Sequence, residues 1–201
     1  MIAWLNPVSG LSGDMLLGAL LDLGASLPPV TAAVASTGLT GWSLSTTEVH
    51  RAGLRATHAR VEVTDTATSR PAATLLELAQ RARPDPVARV ATAAIRALAE
   101  VEAHIHGVAV ADVHLHELGG VDTIVDVVGV AAAVHELGIT QVWSSALGLG
   151  AGTTSSAHGL IPVPAPATLA LLRDVPVRGI DVAGETVTPT CLLYTSPSPR
   201  D

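Results

Sequence analysis

The stretch ADVHLHELGGVDTIVDVVG, residues 111–129, decides how the rest of the chain is read. Its first half, VHLHEL, has the look of a short strand or extended edge. Gly119 and Gly120 break that pattern, and from Val121 the apolar residues recur at helical spacing to about Leu137. The same stretch gathers His114, His116, Glu117, Asp122 and Asp126 in a chain otherwise rich in Ala, Val and Leu. Two readings fit it: a metal-binding site, or a helix start with polar neighbours.

The flanks extend the same alternation of short strands and helices. IAWL reads as a first strand, NPVSGLSGD as a turn, and a helix follows from about Asp14 to Leu23, closed by Gly24. PPVTAAVASTG is a second helix that tolerates proline at its start and ends at Gly38. From Trp42 to Asp65 the pattern alternates, which predicts two antiparallel strands joined near Ala52-Gly53. PAATLLELAQRAR and DPVARVATAAIRALAEVEAHIHG carry their apolar residues at helical spacing. QVWSSALGLGAG reads as a strand entering a glycine-rich loop, and IPVPAPATLALLRD as a stiff extended approach to one more helix. The expected fold is α/β in the mixed sense: short strands with several packed helices, in a single compact domain over residues 1–190. CLLYTSPSPRD has turn composition and no periodicity, so residues 191–201 read as a non-native tail.

Composition narrows the function classes. The chain has 201 residues and a formal net charge of −7, and 48 % of it is hydrophobic, enough for a substantial core without a staple. Mean hydropathy is +0.46. Even so, Gly or Asp interrupts each apolar run well before the roughly 20 residues a membrane span needs. No positively charged leader precedes an apolar segment, so the expectation is a cytoplasmic protein with no membrane partner. All 11 basic residues are scattered arginines, and the pI is near 5.5, which argues against nucleic acid. The single cysteine, Cys191, excludes zinc knuckles, iron–sulfur sites and paired-thiol catalysis. Any metal must therefore be held by histidine, carboxylate or backbone oxygen.

In a strand, His114 and His116 point to the same side, a common way to present two imidazoles to one metal such as Ni, Zn, Cu or Fe. Asp122 and Asp126 share one face of the following helix, although Asp122 can equally offset the helix dipole. NPVSGLSGDM places Ser9, Gly10, Ser12 and Gly13 before a helix, where backbone N–H groups receive an anion. Asp14 can serve a divalent ion, act as a base, or simply cap that helix. It is not a P-loop, because no Gly-Lys-Ser/Thr follows. GLGAGTTSSAHGLIPVPAP does not match the dinucleotide fingerprint, but it puts His158 in a loop, where binding residues often stand. His104 and His106 close the long helix, a favourable place for a cationic histidine; a functional role for His106 is the alternative.

Taken together, SGLSGDMLLGALLDLG, VHLHELGGVDTIVDVVG, AHGLIPVPAPAT and GETVTPT, in this order and spacing, closely resemble the nickel insertion proteins of nickel-pincer cofactor biosynthesis, the LarC family. The resemblance runs from about Ile2 to Thr190 and covers the N-terminal part of proteins about twice this long. It implies insertion of Ni(II) into a pyridinium mononucleotide carrying two thiocarboxylates, with one nickel–carbon and two nickel–sulfur bonds formed. It also implies use of CTP with Mn or Mg, bound through a C-terminal domain that this chain lacks, and a cofactor destined for lactate racemase and related enzymes. Where the family usually has Asp-Pro or Asp-Cys before the Ser-Gly turn, this chain has Asn6-Pro7, which keeps a carbonyl oxygen but no charge. Residue chemistry then assigns expected roles. His114 and His116 are nickel ligands, Glu117 is ligand or base, and Asp14 is a second catalytic carboxylate. Asp122 and Asp126 are further metal candidates, His158 is a substrate or metal contact, and Ser9, Gly10, Ser12 and Gly13 contact substrate. A nickel-delivery module without catalysis and a metal-dependent hydrolase are the competing classes.

Overall fold

The computed structural model describes residues 1–116 and 118–192. Strand β1 (Ile2–Leu5) leads through the Ser-Gly turn into helix α1 (Gly13–Asp22), and α2 (Leu27–Ala35) follows. Next comes a long antiparallel hairpin, β2 (Trp42–Arg51) and β3 (Leu54–Val63), with Trp42 opposite Val63. Its tip is the expected Ala52-Gly53, both with positive φ. Gly18 lets α1 press against the hairpin: a Cβ there would lie 2.6 Å from the Thr57 carbonyl oxygen.

The short β4 (Arg70–Pro71) precedes α3 (Ala72–Arg81) and the long α4 (Asp85–His106). Gly107, in the left-handed conformation at φ 66°, stops α4 immediately after His106. A single 3-10 turn (Val110–Asp112) then feeds β5, which is only His114–Leu115 and pairs antiparallel with β4. The extended edge expected over VHLHEL is thus two residues long. A two-residue strand cannot impose alternation on the residues after it, and the chain already bends at His116.

Helix α5 (Val121–Glu136) is the centre of the fold. Ile124, Val125, Val128 and Ala133 are at most 1 % exposed. A helix apolar on nearly every side must be covered on every side, and α1, α2, α3 and α4 all pack on it. Gly129 lets α1 and α2 approach α5 closely: a Cβ there would lie 3.1 Å from Leu17 and 3.6 Å from Val30.

Beyond α5, β6 (Gln141–Ser144) returns to pair in parallel with β1. The glycine-rich stretch is not a loop. It is strand β7 (Leu147–Ser156), central in a three-stranded sheet with β8 (Gly159–Val163) antiparallel and β9 (Val177–Ala183) parallel. Its glycines answer close backbone approach: a Cβ on Gly148 would collide with the Val8 carbonyl, and one on Gly150 with the Gly184 carbonyl. Helix α6 (Pro166–Leu171) lies between β8 and β9, and α7 (Pro189–Leu192) ends the described chain. The architecture is mixed α and β, as expected. Among the described residues no helix is long and apolar enough to cross a membrane. Of the stretch read as a tail, residues 193–201 lie outside the described residues, as does Glu117. Cys191 is fully buried and its Sγ donates to the Leu11 carbonyl at 3.0 Å.

Candidate metal centre

The end of α4, the residue after β5 and the β7–β8 turn deliver one imidazole each to a single place. His106 is the last residue of α4 and is held there by the Gly107 stop. His116 follows β5, whose Leu115 is fully buried and anchors the strand. The Arg70 side chain grips the next turn, binding the Gly119 carbonyl and the Asp65 carboxylate. His158 stands at the tip of the tight β7–β8 turn, where its N–H donates to the Ser156 hydroxyl at 3.0 Å and Ser156 donates to the Gly159 carbonyl at 3.1 Å.

Ring centroids are 5.1 Å apart for His106–His116 and for His106–His158, and 4.7 Å apart for His116–His158. One nitrogen of each lies within 4.8 Å of the others. A metal about 2.1 Å from each imidazole nitrogen would set those nitrogens roughly 3–3.4 Å apart, so small side-chain rotations close the set. Glu102, one turn before His106, approaches its Nε2 at 3.4 Å, and this leaves the other ring nitrogen for a metal. Three neutral imidazoles suit borderline divalent ions such as Ni, Cu or Zn.

The histidines line a cleft of about 520 Å³. Its walls are mostly apolar, from Ile105, Leu118, Ile161 and Pro189, and the remaining polar groups include Glu102, Glu185 and Thr168. That size and lining suit a planar small-molecule ring.

A second pocket of about 400 Å³ adjoins the first, since Leu118 and Thr188 line both. It contains Asp14 from the first turn of α1, and Asp122 and Asp126 from successive turns of α5. Burial, and then the charges of Asp14 and Asp122, push the Asp126 carboxyl up to about 8. Gly13 makes the approach possible, because any side chain there would collide with the Asp126 carboxylate. Ser12 donates its hydroxyl to Asp14. Asp14 and Asp122, beside the protonated Asp126, set a negative field at the start of α1, which opposes an anion and favours a cation there.

The candidate residues therefore separate into groups. His116 and His158 come together, and His106 joins them. His114 is exposed on β5 opposite Pro71 and stands outside that cluster. Asp14, Asp122 and Asp126 share the second pocket with Ser12 and Gly13. Ser9 is exposed, whereas Gly10 and Leu11 are bound into the fold: Gly10 N–H donates to Pro7, and Leu11 N–H to the Thr186 carbonyl at 2.8 Å. The GETVTPT motif is thereby laid against the Ser-Gly turn, with Thr188 N–H returning a bond to Leu11 at 3.0 Å. Asn6 accepts a hydrogen bond from the Ser145 hydroxyl at 2.7 Å. Burial pushes the Cys191 thiol up to about 12, which keeps it inert as a ligand. Glu102 carries no signal in the sequence, because a lone glutamate has no diagnostic spacing, and Glu185 stands in the GETVTPT motif without any spacing that points to the histidines. The clue to His106 is its place immediately before a helix-stopping glycine.

A mixed α/β domain with three converging imidazoles, an apolar cleft and an adjoining carboxylate pocket offers the chemistry that a borderline divalent metal beside an organic ligand requires. Residues 3–196 match the family described as nickel insertion protein, and the chain belongs to that family. A protein of Nocardioides sp., named pyridinium-3,5-bisthiocarboxylic acid mononucleotide nickel insertion protein, is 45 % identical over 94 % of this chain and 48 % of its own length. A Myxococcus xanthus relative is 42 % identical over 94 % of this chain and 49 % of its own length. A Desulfitobacterium hafniense protein with the same name as the first is 40 % identical over 94 % of this chain and 47 % of its own length. The chain thus spans about half the length of the curated relatives it matches. No solved structure matches it.

Proposed function

We propose that this domain holds Ni(II) for insertion into pyridinium-3,5-bisthiocarboxylic acid mononucleotide, with His106, His116 and His158 as the nickel-holding set. The observation that carries the reading is the convergence of the three imidazoles, within 4.8 Å of one another, on an apolar cleft. In the relatives' named substrate, thiocarboxylates at ring positions 3 and 5 flank C4. A nickel gripped by both sulfurs therefore sits on C4. The insertion forms one Ni–C and two Ni–S bonds, breaks the C4–H bond and releases one proton, with no change in oxidation state. Imidazoles bind nickel firmly enough to collect it and weakly enough to surrender it to sulfur, whereas thiolates would retain it.

The released proton needs a base. Glu117, next to His116 in the chain, is the carboxylate proposed for that role. Asp14, Asp122 and Asp126 are proposed to support it from the adjoining pocket, by taking up the proton or a hard cation. Use of CTP with Mn or Mg is assigned to the half of the family's length that this chain does not span. The activity so described is that of a cyclometallase of the lyase class, acting in the cytoplasm, where thiocarboxylates stay reduced, and supplying a racemase-type enzyme.

The test combines this protein with nickel, CTP, Mn or Mg, the thiolated mononucleotide and the remaining half of a full-length relative. Formation of the nickelated product supports the reading. Nickel binding without product favours a delivery module, and hydrolysis of simple phosphoesters without nickel chemistry favours a hydrolase.

A further inference from the structure

We infer that Glu185 reads the positive charge of the substrate's pyridinium ring, and that the phosphate of the mononucleotide stays outside the cleft. This rests on the proposal that the cleft receives such a ring, and it needs no nickel to be tested.

Glu185 lines the same cleft as the three histidines. Its Oε1 accepts from the Thr168 hydroxyl at 3.1 Å and, more weakly, from the Ala165 N–H at 3.4 Å. Thr168 is completely buried, so the carboxylate is braced from a fixed point even though Glu185 itself is exposed. A carboxylate offers about four acceptor sites across two oxygens, so these bonds leave capacity for a cation. Ile105, Leu118 and Ile161 give the cleft apolar walls, and a charge pair beside them is screened less than one in bulk solvent.

The same lining bears on the phosphate. Among the described residues no arginine lines the cleft, and the chain has no lysine, whereas two carboxylates, Glu102 and Glu185, are present. A phosphate inside would meet two carboxylates and, as donors, only hydroxyls and imidazoles, with no guanidinium or ammonium to pair with its charge. The substrate's own geometry agrees with this. N1, which carries the ribose phosphate, lies opposite C4 across the ring, so placing C4 at the imidazoles sends N1 and its phosphate away from them.

Shape-matched probes test this without nickel. By NMR titration, wild-type protein should bind 1-methylnicotinamide about tenfold more tightly than neutral benzamide, the scale of one partly screened charge contact. E185Q, which keeps the acceptor oxygen and removes the charge, should bring the two within about twofold. Nicotinamide riboside and its mononucleotide should bind within about threefold of each other. In the wild-type protein, the Ala165 and Thr168 amide resonances should shift with the cation and not with benzamide, a readout that needs no variant. An unchanged cation preference in E185Q, no cation preference in the wild type, no shift at those amides, or a mononucleotide much tighter than its riboside would each overturn the inference. Because no metal is present, these outcomes stand apart from nickel binding by the histidines, which separate titrations of the histidine variants measure.

Discussion

The imidazoles of His116 and His158 meet edge to face, with centroids 4.7 Å apart and ring planes at 90°, although one follows a two-residue strand and the other tips a β-turn. Neither local segment demands this contact. It exists because the β7–β8 turn is carried back onto the end of α4, where His106 completes the set.

The first consequence concerns nickel affinity. Replacing His106, His116 or His158 by Ala should weaken nickel binding by about a hundredfold or more each, since even an outer partner of a metal ligand is worth 10–100-fold. H114A should change it less than about threefold, because His114 lies outside the cluster. Competition titration with a chelating dye measures all four. Equal losses in H114A and H116A would restore the paired-strand arrangement.

Glu102 orients His106 from one turn away at 3.4 Å. E102Q should therefore cost about 10-fold in nickel affinity while leaving the fold intact, and E102A more. A wild-type affinity in E102A would show that the carboxylate does not position the ring.

Asp126 carries a pH signature. Its carboxyl sits at about 8 in the folded chain, raised first by burial and then by Asp14 and Asp122, against roughly 3.9 when unfolded. Between about pH 4 and pH 8 the folded state keeps a proton that the unfolded state has released, so stability falls as pH rises through that window. D126N should remove that slope and be the more stable form at pH 8, by about a few kcal/mol. Urea unfolding of both proteins at pH 5 and pH 8 reads the difference, and parallel pH dependence would contradict it.

The scaffold should be separable from the site. Leu17 is fully buried and packs on Gly129 of α5. L17A should cost about 2–5 kcal/mol by opening a cavity, with nickel affinity per folded molecule unchanged. Denaturant unfolding and dye competition on the same sample check both halves of that statement.

Local patterns made much of this fold legible. The period-2 run from Trp42 predicts the hairpin and its Ala52-Gly53 tip, and the near-continuous apolar run after Val121 predicts the central helix. The glycines at 148 and 150 misled, because a flexible loop and a strand pressed by Val8 and Gly184 carry the same letters. Strand β9 has no alternation that survives Arg178 and Gly179, and it is held by β7 rather than by its own pattern. At the site, residue types were readable and partnerships were not. His-x-His spacing assumes a strand long enough to alternate, and β5 ends before His116. The partners of His116 come from α4 and the β7–β8 turn, contacts that only the closed fold creates.

The proposed insertion depends on His106, His116 and His158 holding the nickel that is inserted. X-ray absorption on the nickel-loaded protein decides this by counting the imidazoles around the metal. Three are expected in the wild type and in H114A, and one fewer in each of H106A, H116A and H158A. A coordination shell unchanged in those three variants, or one that loses an imidazole only in H114A, would contradict the assignment.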